Sequence, residues 1–196
     1  MADDAPSEQE EYEPFSEEGK ATRETIRFKL HESAVALQRE RLEAERDASE
    51  AALKKRIAML GFEGVAERIF DLLPLVHVAW ADGKIQSGER ATILNLLRIR
   101  GIPLGEVYLT MEALLEKRPS DEYLDESLEV LKEVLDREDK PESKKTVVGL
   151  CILVAEAAGG LLGLFNPVSK EERAVIERIA KRLGDDAVAE FQRRLG

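Results

Sequence analysis

Cysteine, aromatic side chains and basic charge are what this sequence has least of. A lone cysteine, Cys151, in 196 residues excludes an internal disulfide framework and any metal site built from several thiolates. Its neighbours Leu150, Ile152 and Leu153 predict a thiol packed as a small hydrophobe. Aromatic residues make up only 5% against 43% hydrophobic overall. The core must therefore come mainly from aliphatic side chains and alanine, a balance that suits helices better than strands. The start of the chain is acidic where a secretory leader would be basic and then apolar, so the cytoplasm is the expected compartment. A net charge of −11 argues against general nucleic-acid binding, which needs a basic stripe to displace counterions.

The negative charge is unevenly spread. Residues 1–19 hold eight acidic groups and no Lys or Arg, which leaves only −3 for residues 20–196. A like-charged stretch of this kind predicts a disordered acidic tail over 1–19. Residues 20–60 contain no Pro and no Gly and are rich in strong helix formers, so they predict one long charged helix. Its apolar positions drift too much for a coiled-coil seam. It serves either as a solvated helix along the core or as a partner-binding arm.

From residue 62 the helices shorten and become more apolar. Phe62, Val65, Ile69, Leu73, Val76 and Trp80 recur at helical spacing, with Pro74 expected to kink or break the helix. Further helices are predicted over 87–100, after Pro103, and after Ser120, where Leu124, Leu128, Leu131 and Leu135 form one stripe. Three more fall near 142–158, 169–183 and 186–195, with Ser169 and Asp185 as N-caps. The stretch Val147–Val168 approaches the roughly 20 residues a membrane-spanning helix needs. Glu156, Gly159-Gly160, Gly163 and Asn166-Pro167 interrupt it, which predicts a buried helix followed by an apolar loop. An acid on such a helix needs a partner, so Glu156 is expected to hydrogen-bond across the bundle or to be functional.

The most informative feature is a repeat. Glu89-Arg90-Ala91-Thr92-Ile93 recurs as Glu172-Arg173-Ala174-Val175-Ile176. Ile85 corresponds to Val168, Gln86 to Ser169 and Gly83 to Gly159, with seven extra residues in the second loop. Each copy reads as an apolar helix, a glycine turn and an amphipathic helix. Gln86 with Glu89, and Ser169 with Glu172, have the spacing of a capping box, although Gln is a poor N-cap. Asp82 can fold back on its turn and Gly83 can take positive φ.

The segment "VAWADGKIQSGERATILNLL" resembles the first signature of the tellurite-resistance TerB-like family, an Ala-Asp-Gly turn followed by an aliphatic residue and a glutamate. The resemblance spans residues 62–195. It implies an all-α fold: a TerB-like helical bundle of about seven helices from a duplicated helix-turn-helix unit, preceded here by the long charged helix. Asp82, Gly83, Ile85 and Glu89 match the family motif. In the second copy Gly159, Val168 and Glu172 match, while Ala158 stands where an aspartate is expected. The family's proposed binding of divalent metals through acidic surfaces implies a weak divalent site at Asp82 and Glu89, and the missing aspartate argues against a symmetric second one. A calcium EF-hand does not fit, because Val78 and Trp80 would fall at positions that need oxygen ligands.

Catalytic motifs are missing. There is no Gly-rich phosphate loop, nucleophile elbow or paired histidine-carboxylate arrangement, and His31 and His77 lack the spaced partners of a zinc site. The sequence therefore predicts a non-enzymatic module with three readings. It mediates protein–protein assembly, through the 20–60 helix or the loop residues Leu161, Leu162, Leu164 and Phe165. Alternatively it is a divalent-metal-binding stress-response protein. In the third reading the same loop makes it a peripheral membrane adaptor that touches but does not span the bilayer.

Overall fold

The structure, a computed structural model, describes residues 17–44, 50–63, 69–138, 140–158 and 168–196. The regular elements among these residues are helices: α1 (Glu17–Ala44), α2 (Glu50–Met59), α3 (Leu73–Ala79), α4 (Ser87–Ile99) and α5 (Glu106–Glu116). They are followed by α6 (Asp121–Glu138), α7 (Pro141–Ala158), α8 (Lys170–Leu183) and α9 (Asp185–Leu195). Pro141 opens α7 where a missing backbone donor costs nothing.

α3 lies at the centre, and all seven of its residues are buried. Pro74 marks a break, one of the two outcomes expected of it, and not a kink within a continuous helix. It sits at the start of α3, after a short 3-10 turn over residues 69–72, where its ring fits the first turn. α6, α7 and α8 pack around α3, and α4 closes against α7. The leucine stripe of α6 is buried as its spacing predicts, with Leu124, Leu128, Leu131 and Leu135 all in the core. α9 seals the outer side of α7 and α8. It starts from Gly184 at φ +108°, so Gly184 rather than Asp185 occupies the N-cap position. Asp185 and Asp186 instead sit in the first turn, where they suit the helix dipole.

The expected single helix over 20–60 is two helices. Glu40 and Lys55 form an ion pair at 3.2 Å, whereas 15 residues of continuous helix would hold them about 22 Å apart. The chain reverses between α1 and α2, and the connection at 45–49 lies outside the described residues. The physical reason is the drifting apolar pattern. No single stripe serves the whole stretch, but folding back buries Leu53 and Ile57 alongside Leu30, Ala34 and Leu37. α2 ends at Gly61, whose φ is +91°. Gly61 N–H donates to Ala58 O and Phe62 N–H to Ile57 O, a glycine-terminated C-cap that satisfies two otherwise orphan carbonyls. α4 ends the same way at Gly101.

α1 is part of the bundle and not a free arm. It lies along α5 and α6, and the buried Glu126 of α6 takes Arg41 of α1 at 2.8 Å and Arg56 of α2 at 3.8 Å. Tyr123 of α6 donates its hydroxyl to Leu60 O at 2.9 Å just past the end of α2. α1 already includes Glu17 to Gly19, the end of the tail expected over 1–19, and residues 1–16 lie outside the described residues. Leu37 is fully buried, so Leu37→Ala is expected to lower the unfolding free energy by about 3 kcal/mol. Urea denaturation of the full chain measures this; a change within about 0.5 kcal/mol would mark α1 as a loosely attached arm.

Candidate functional site

The turn after α3 follows its sequence closely. Asp82 Oδ1 accepts the Lys84 backbone N–H at 3.1 Å, and Gly83 takes a φ of +89°. Gln86 is in extended conformation, and its N–H donates to Glu89 Oε2 at 2.7 Å. The second copy repeats this geometry. Ser169 N–H donates to Glu172 Oε2 at 2.6 Å, and Glu172 N–H returns to Ser169 Oγ at 3.1 Å. Val168 is buried and Ile85 partly buried against the same core. Gln86, for all its weak capping propensity, anchors the glutamate arm of the box as Ser169 does.

The two cap glutamates meet. Glu89 is 2% exposed and Glu172 5% exposed, and their carboxyls are within hydrogen-bonding reach of each other. The Glu172 carboxyl so placed makes ionisation of Glu89 costlier. Burial is the main reason that Glu89 is pushed up to about 7, with the nearby charges of Glu172 and Asp82 adding to it and the Gln86 N–H opposing it. The close fit extends to Gly88, next to Glu89. A Cβ placed there would stand 2.2 Å from Ala157 O at the end of α7.

The residues expected to hold a divalent ion are placed differently from one another. Asp82 is exposed and Glu89 buried, and each already accepts a backbone N–H of its own turn. Among the described residues no three His, Cys, Asp or Glu side chains are arranged to hold a metal together. The donor set therefore does not fit a resident metal. What the two glutamates do visibly is cap the starts of α4 and α8.

Other candidates resolve into packing. His77 is buried, with Nε2 3.3 Å from Ser127 Oγ, and burial drives its pKa down to about 3. Cys151 is fully buried, and burial pushes its thiol up. Glu156 is exposed, so the expected hydrogen bond across the bundle is not needed. It shares the outer face of α7 with Leu153, which is 46% exposed. Gly159 and the apolar loop with Leu161, Leu162, Leu164 and Phe165 lie outside the described residues. No described helix is long and apolar enough to cross a membrane.

A second feature escaped the sequence reading. Between α1 and the α5–α6 corner lies a cleft of about 400 Å³. Leu30, Leu114 and Tyr123 contribute apolar surface to its floor, and Phe28 stands at its side, 67% exposed. Arg27, His31, Lys117 and Arg118 line it with Glu24 as the one acid. Arg27 is pinned by Glu116 at 2.6 Å and donates Nε to Ala113 O at 3.1 Å, which holds this wall in place. The groups come from two distant stretches of the chain, residues 24–31 and 114–123, so no local pattern could have announced them.

No family model, no curated protein and no solved structure matches this chain. Its class rests on its own geometry: a helical bundle with a buried pair of cap glutamates and a cationic, apolar-floored cleft.

Stability should depend on pH through the pair. Glu89 is raised in the folded chain above the ordinary value of 4.5, so its contribution is complete below about 4.5 and is lost as pH rises through about 7. Glu89→Gln is expected to remove that loss, gaining on the order of 1–3 kcal/mol over the wild type between pH 5 and 8. Parallel denaturation curves across this range measure it; identical slopes would show that folding does not raise Glu89. Gly88→Ala should destabilise the fold by about 2 kcal/mol or more at any pH, because the clash is with backbone. A melting temperature unchanged from wild type would contradict that contact.

Proposed function

We propose that this chain is a non-catalytic, TerB-like helical module for protein–protein assembly, with the cleft beneath α1 as its contact surface. The observation behind this reading is the cleft itself. In a chain of net charge −11, an apolar floor is bordered by Arg27, His31, Lys117 and Arg118. Such a surface suits an acidic peptide segment with one large apolar side chain. The apolar group would fill the floor, and the acids would be drawn to the cationic rim. The family resemblance adds an assembly context of stress response, and it rests on the motif residues Asp82, Gly83, Ile85 and Glu89.

The two alternatives have less behind them. Divalent-metal binding at Asp82 and Glu89 has the converging negative charge in its favour, but the ligand geometry works against it. Peripheral membrane attachment depends on Leu161, Leu162, Leu164 and Phe165, which the described residues do not include.

A fluorescent peptide of alternating glutamates around a single tyrosine tests the main reading, by anisotropy with the full chain. Binding is expected in the micromolar range, weakening as salt shortens the range of the charges. Lys117→Glu with Arg118→Glu should reduce affinity about tenfold or more, and replacing the tyrosine of the peptide by serine should do likewise. Equal binding by the charge-reversed chain would sink the cleft as the contact surface.

A further inference from the structure

We infer that the partner this cleft takes is a second copy of the same chain, docked antiparallel along α1 so that each Phe28 ring closes the other's recess; this rests on the reading of the cleft as the contact surface. One corner of the molecule carries both halves of such a contact. Phe28 is 67% exposed, and an apolar recess floored by Leu30, Leu114 and Tyr123 opens beside it. A two-fold arrangement satisfies both at once, because the same patch then supplies the ring and the recess on each side.

The pairing follows from one face of α1. Glu24, Arg27, Phe28 and His31 line the cleft at the spacing that puts helical side chains in one row. A two-fold axis midway between Arg27 and Phe28 leaves Glu24 and His31 equally far from it, about 5 Å along the helix on either side. Antiparallel pairing therefore sets Glu24 of one copy opposite the partner's His31, a carboxylate facing an imidazole N–H. It also sets Arg27 against the partner's Phe28, a guanidinium on the face of a ring, and brings the two rings together at the axis. Glu24 and His31 are exposed and make no hydrogen bond or ion pair among the described residues, so both are available. Arg27 is already held by Glu116 and Ala113 O, so little freedom is lost in presenting it.

Charge permits this approach. At this corner Arg27, Lys117 and Arg118 are matched in number by Glu24, Glu116 and Asp121. Two copies of a chain of net charge −11 therefore meet here without net repulsion. Exposed Glu24 and Glu32 flank Phe28 one turn away on either side, so α1 of the second copy is itself a large apolar side chain set between acids, the kind of segment the cleft suits.

The test is sedimentation equilibrium of the full chain from about 1 to about 500 µM. Association toward twice 21.9 kDa is expected, with a Kd on the order of 10–100 µM for so small a patch. Phe28→Asp should weaken it about tenfold or more. Because Phe28 is exposed, the circular dichroism and melting of that variant should match wild type, which separates lost docking from lost folding. Glu24→Arg and His31→Glu should each weaken association severalfold, since each sets like groups opposite one another. Mixing the two variants should restore it, because only the mixed pair places opposite groups face to face at both positions. A chain that stays monomeric throughout the range yet binds the acidic peptide would overturn the second-copy inference and leave the cleft reading standing. A dimer indifferent to Phe28→Asp and to both charge variants would lie on another face and overturn it equally. A dimer that these variants weaken, in a chain that ignores the peptide, would uphold the homotypic contact and remove the acidic-peptide reading. Absence of both dimer and peptide binding would sink the two together.

Discussion

A helix buried on every side constrains the whole bundle. α3 exposes none of its seven residues, so it has no polar stripe to turn toward water and must be enclosed. α6, α7 and α8 provide the enclosure, and α4 locks against α7. Even the one polar side chain, His77, is kept neutral by its burial and placed against the hydroxyl of Ser127. Around this rod the remaining helices are amphipathic, with α1 and α2 covering the face of α6 that α3 does not reach.

That enclosure also explains the glutamate pair. The two helices that open on the capping boxes, α4 and α8, pack crosswise: α4 on α7, and α8 on both α3 and α7. Their N-termini are thereby brought to one place, and the cap residue of each, Glu89 and Glu172, is shut away from solvent. A single capping box at a helix end is a local device worth about a kilocalorie. Where the two face one another, burial and the nearby charge of Glu172 raise Glu89. Local capping and long-range packing thus meet in the same four carboxyl oxygens.

The cleft has a different origin. It lies where α1 passes the corner between α5 and α6, with residues 24–31 on one side and 114–123 on the other. Arg23 and Arg27 tie α1 to Glu116 of α5, and the space beside them is an apolar recess edged by basic side chains.

Much of the fold was legible in the sequence, because the features that set it are local. Helix formers, the leucine stripe of α6, the Ser169 cap and the glycine stops at Gly61 and Gly101 each act within a few residues. The repeat marked Glu89 and Glu172 as equivalent caps for the same reason. The reversal between α1 and α2, the Gly184 cap in place of Asp185, the exposure of Glu156, the meeting of the two glutamates and the cleft were decided only by tertiary structure. Each depends on which face of a helix meets a neighbour far away in the chain, and helical periodicity says that a face is apolar without saying what will cover it.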